Sequence, residues 1–146
     1  MILIVDTDDI FLSTVREYLA KQGHSSISTM HPERALGILA VRPEINLLIC
    51  EQILPGFSGI ELILRATQHH PGIRSILMSS AGNIEAVPAN VHCLVKPFSF
   101  DSLGILLKLS LGVHNQPDQV QPPMAENPTH LSALALLHCF TDSLIH

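Results

Sequence analysis

The chain has 146 residues, 47% of them apolar and 14% charged, a balance that fills a core and excludes intrinsic disorder. That length suits one domain with a modest tail. The net charge is −5 and no Lys or Arg follows Lys108, which argues against nucleic-acid binding, since cations on phosphate supply most of that affinity.

"ILIV" at residues 2–5 is a short, β-branched apolar run ending in acids, which predicts a buried parallel strand. "DDIFLSTVREYLAKQG" follows as a helix: Asp8 can cap it, Phe11, Leu12, Val15 and Leu19 recur at helical spacing, and Gly23 ends it. "SSISTM" is a weaker strand. "HPERALGILAVRP" is a second helix, with Pro32 in its first turn and Pro43 beyond its end. "INLLICE" is the third strand, the turn "LPGFSG" leads into the helix "IELILRATQHH", and "IRSILMSS" is the fourth strand. "AGNIEAVPAN" holds about two turns at most, and Pro88 would break a helix there, so this fourth helix is expected to be stunted. "VHCLV" is the fifth strand, and "FSFDSLGILLKLSL" a fifth helix with Ser99 as N-cap.

Strands alternating with helices predict an α/β fold, a doubly wound parallel sheet covered on both faces. The predicted domain spans residues 1–112. Residues 113–128, with four prolines, are expected to be a linker. Residues 129–146 are expected to form an amphipathic C-terminal helix, with Ala133, Leu137, Phe140 and Leu144 on one face and Leu131, Leu134 and Ile145 widening it. That face is large enough to need a partner, and the lack of cations beside it disfavours a membrane.

No stretch approaches the ~18 apolar residues that span a bilayer. "MILIV" lacks the basic flank of a secretory signal. Cys50, Cys93 and Cys139 have no paired spacing, so free thiols and a cytoplasmic location are expected. His69, His70, His130, His138 and His146 match no standard metal spacing and are expected to be solvated or helix-terminal.

In open α/β sheets, chemistry gathers at the carboxyl ends of strands near the point where strand order reverses. Asp6, Glu51, Ser80 and Lys96 each end an apolar run and so can converge on one rim. A carboxylate at the end of a core strand, as at Glu51, is costly to desolvate without a partner.

The segments "ILIVDTDD", "LLICEQILPGFSGIEL", "ILMSSAG" and "CLVKPF" together resemble the receiver domain of two-component response regulators, the CheY-like phosphoacceptor module, over residues 1 to about 112. The resemblance implies a flavodoxin-like fold with five strands in the order 2-1-3-4-5. It also implies transfer of a phosphoryl group from a kinase phosphohistidine to an Asp at the end of strand 3, with Mg²⁺ held by acids after strand 1. By position, Asp6 matches the first metal-binding acid, Ser80 the phosphate-contacting hydroxyl and Lys96 the phosphate-contacting amine.

Two positions depart from the family pattern. Glu51 stands at the acceptor position, and Thr7 stands where the second metal-binding acid belongs, with Asp8 one residue further on and able to cap the helix instead. Glu is longer than Asp by one carbon–carbon bond, about 1.5 Å. A misplacement of about 1 Å can cost on the order of 10²-fold in rate. The longer side chain also reaches toward the phosphoryl position, where Lys96 and Ser80 could pair with it. Thr7 removes a hard anionic ligand, which weakens the implied Mg²⁺ site.

The expected function is therefore a single-domain, phosphorylation-independent interaction module, a pseudo-receiver. It would be no enzyme beyond residual autophosphorylation or dephosphorylation. The alternative is a working phosphoacceptor that uses Glu51 or Asp8 unconventionally. At the switch position three residues before Lys96 the family carries an aromatic ring; here Cys93 stands there and is expected to be a buried, space-filling thiol. The expected partner is a histidine kinase or a downstream effector. Self-association would use the helix 4–strand 5–helix 5 face or the C-terminal helix, and neither nucleic acid nor membrane is expected as a partner.

Overall fold

The computed structural model describes residues 1–80 and 86–112. Its elements are β1 (Ile2–Val5), α1 (Asp9–Lys21), β2 (Ser26–Thr29), α2 (Pro32–Val41), β3 (Leu47–Glu51), α3 (Gly59–His69), β4 (Arg74–Ser79), β5 (Val91–Val95) and α4 (Phe100–Leu111). The strands form one parallel sheet in the order β2-β1-β3-β4-β5, the flavodoxin-like arrangement.

Alternation along the strands divides the core in two. Ile2, Ile4, Leu47, Ile49, Ile76, Met78 and Leu94 face α1 and α4, meeting Leu12, Val15, Leu19, Leu103 and Leu107. Leu3, Val5, Leu48, Cys50 and Leu77 face the other way, toward Ala35 and Leu39 of α2 and Leu62, Ile63 and Ala66 of α3. Both faces of the central strands are covered, so β1 and the first four residues of β3 are continuous apolar runs with no polar face.

Side chains cap the helix starts, at Asp8 and Ser99 as the sequence suggested and at Ser58 as well. The Asp8 carboxylate accepts from the Phe11 N–H, Ser58 from Glu61, and Ser99 from Ser102. Pro32 occupies the first turn of α2. Between β4 and β5 the described residues 86–90 carry no helix, so the helix after β5 is the fourth among the described residues, α4.

Cys93 corrects the expectation of a buried thiol: it is exposed. β5 is an edge strand, and along it only Leu94 is fully buried. The expected linker and C-terminal helix, with Cys139 and the last three histidines, lie outside the described residues. Of the rest of that histidine set, His69 is exposed and the His70 ring pairs with the Leu39 carbonyl at 2.7 Å. No helix among the described residues is long and apolar enough to cross a membrane.

Candidate functional site

Parallel pairing brings the ends of β1, β3 and β5 to one rim of the sheet. Val5 is level with Cys50, Glu51 with Met78, and Ser79 with Val95. Asp6, Glu51 and Lys96 are each at or one residue past the end of a strand, and their side chains meet. Lys96 Nζ lies 2.5 Å from Asp6 Oδ2 and 2.8 Å from Glu51 Oε2. Asp6 is 1% exposed and Glu51 5%, so both charges are desolvated.

Each carboxylate has further support. Asp6 Oδ1 accepts from the Asp8 backbone N–H at 2.9 Å, and Glu51 Oε1 from the Ile53 N–H at a long 3.5 Å. Glu51 Oε2 makes no aligned hydrogen bond, so its contact with Lys96 is an ion pair held by charge rather than by direction. Burial is the largest single influence on Lys96 and pulls its pKa down. The close side-chain contacts with Asp6 and Glu51, with the charges of both, together outweigh it and leave the amine above its usual range.

The turn after Glu51 is built for close approach. Gly59 N–H donates to the Gln52 carbonyl at 2.9 Å, and Ile60 N–H to the Gln52 side chain at 3.1 Å. Gly56 takes φ +93°, which favours glycine in this tight turn. Beside the site, Cys50 is fully buried with its Sγ on the Gly59 carbonyl, and burial first, then the Glu51 charge, push its thiol far up in pKa, so it is inert.

The remaining sequence candidates are placed as follows. Ser80 is exposed, one residue past the end of β4, and is not among the described partners of Glu51. Thr7 and Asp8 are both exposed, and the Asp8 carboxylate is engaged as the α1 cap. The residues implied for Mg²⁺ do not fit a divalent ion as arranged. Asp6 is taken up by an amine and a backbone N–H, Thr7 carries no charge, and no group of three acidic, His or Cys ligands converges among the described residues.

Two aromatic residues complete the site and were assigned no role from sequence. Lys96 Nζ sits 4.2 Å from the centroid of Phe11, and Phe98 meets Phe11 edge-on at 5.9 Å and 83°. Phe11 falls on the apolar stripe of α1 and packs against the core; its position in the first turn also sets it beside the strand ends.

Known proteins share this architecture. The family model described as the response regulator receiver domain matches residues 2–108. The nitrogen assimilation regulatory protein NtrX of Azorhizobium caulinodans is 29% identical over 117 residues, which are 75% of this chain and 26% of that protein. The sporulation initiation phosphotransferase F of Bacillus subtilis is 28% identical over 108 residues, 70% of this chain and 86% of that one. Among solved structures, the signal receiver domain of an HD domain-containing protein from Pseudomonas fluorescens Pf-5 superposes with a TM-score of 0.71 at 26% identity, covering 76% of this chain and 93% of that one. The match over nearly all described residues, on the same sheet order, means that this chain belongs to the response regulator receiver domain family of two-component signalling.

Proposed function

We propose that this receiver acts as a phosphorylation-independent interaction module, its acceptor site held closed by a permanent ion cluster. The observation that carries the reading is Lys96 bridging Asp6 and Glu51 at 2.5 and 2.8 Å in a buried setting. The amine that would meet a phosphoryl group is committed to the carboxylate at the acceptor position. Glu51, one methylene longer than Asp, holds a negative charge on this amine without any transfer step. Opening the site would separate charges that the interior solvates poorly.

The same geometry disfavours a working acceptor. Both Glu51 oxygens face donors already, and the Asp8 carboxylate is turned to its own helix. Without an Mg²⁺ site to offset the charge on a phosphoryl group, transfer to either acid lacks its main electrostatic support. Signalling would then run through protein contact with a histidine kinase or an effector. We place that contact, or self-association, on the β5–α4 edge, where Val95, Phe100, Ile105 and Leu109 are exposed, with residues 129–146 as the second candidate.

The test is NMR titration of the full chain with Mg²⁺ and beryllofluoride, an acyl-phosphate mimic. The expected result is no saturable shift at Asp6, Glu51 or Lys96. Saturable shifts at these three residues overturn the reading. The double variant Thr7→Asp/Glu51→Asp is expected to gain saturable binding, because it restores both missing groups.

A further inference from the structure

A lysine ammonium carries three N–H donors on a flexible stem of four carbons. Lys96 directs its ammonium at Asp6 and Glu51, and the third neighbour is the face of Phe11, 4.2 Å away. An aromatic face is electron-rich and attracts a cation, more strongly where water is kept away. Here the two carboxylates are almost fully buried and Lys96 is about one-fifth exposed, so the ring covers a side from which water would otherwise reach the amine. Phe11 is itself braced: Phe98 lies edge-on against it, two residues beyond the lysine. One ring comes from the first turn of α1 and the other from the chain just after β5, so the clamp joins the two segments that flank the site.

We propose that Phe11 is a positioning residue that holds Lys96 on Asp6 and Glu51, with Phe98 as its brace. The inference rests on the closed-site reading and adds a determinant to it: beside the two carboxylates, the aromatic face is a third neighbour of the ammonium among the described residues. Phe11 touches no reacting atom and acts only through Lys96.

The experiment places phenylalanine, 4-fluorophenylalanine and 3,4,5-trifluorophenylalanine site-specifically at position 11 of the full chain. Fluorination withdraws charge from the ring face while nearly keeping its shape, so folding is preserved. ¹⁵N NMR of the Lys96 ammonium reads its order and its proton exchange with water. The expected result is a graded rise in exchange along the series, reaching about five- to tenfold for the trifluoro ring, as suits a partly desolvated cation–π contact. Phe11→Leu should match or exceed that rise, and Phe11→Tyr should stay near the wild type. A flat fluorination series overturns the proposal, whatever Phe11→Leu does to the fold. The beryllofluoride titration above decides the closed-site reading separately: a flat series with no beryllofluoride binding removes the clamp alone, and saturable binding removes the reading beneath it.

Discussion

Gly59 and Glu51 are in backbone apposition. A Cβ added to Gly59 would fall 2.3 Å from the Glu51 carbonyl oxygen and 2.8 Å from Leu77 Cδ1. The helix that follows the acceptor-position strand can start where it does only because this residue has no side chain. Gly59→Ala is expected to destabilise the fold by about 2–3 kcal/mol, since the clash is with backbone and overpacking outweighs the gain in helix propensity. Urea denaturation of the two proteins measures it. Gly37, with no atom near its missing Cβ, serves as the control, and Gly37→Ala should be neutral or slightly stabilising.

The ion cluster holds two carboxylates against one amine, so its members respond differently to removal. Lys96→Met leaves Asp6 and Glu51 buried without a counter-charge and should cost about 3 kcal/mol. Glu51→Gln leaves the Lys96–Asp6 pair intact and nearly neutral, and should change stability by less than about 1 kcal/mol. Equal losses in the two variants, measured by denaturation at pH 7, would contradict a single shared cation.

The raised pKa of Lys96 fixes how that stability depends on pH. The folded protein holds the lysine proton more tightly than the unfolded chain, so the contribution is fully present below the unfolded value of about 10.4 and is lost as pH rises through the higher folded value. Denaturation of the wild type and Lys96→Met between pH 8 and pH 12 should show a constant gap at first. The gap should then shrink above about pH 10.4.

The two described cysteines should differ in reactivity. Cys93 is exposed, with its pKa raised by partial burial, whereas Cys50 is buried and strongly raised. In a Cys139→Ser background, a thiol reagent at pH 8 should modify one cysteine promptly. The second should react only on unfolding.

Much of the architecture was legible in the chain because it rests on local rules. The apolar runs at residues 2–5 and 47–50 are too short for helices and unbroken by polar residues, so they could only be buried strands. Asp8 and Ser99 cap helices through bonds spanning three residues. The convergence of Asp6, Glu51 and Lys96 was accessible too, since parallel strands place their carboxyl ends on one rim. Cys93 was misjudged because burial on an edge strand depends on what covers it, and strand pattern alone says nothing about cover. Phe11 packs against the core as its helical spacing implied, but its place over Lys96 was not legible, since at the first turn that face looks onto the strand ends as well as the core.

The order of residues along this chain determined its strands, its helix caps and which polar groups stand at the strand tips, since each follows from neighbours a few positions apart. Only the folded structure decided that a single amine ninety residues from Asp6 would be shared by two buried carboxylates and covered by an aromatic ring. Distances of a few ångströms between distant segments depend on strand register and side-chain direction, and those are properties of the assembled sheet.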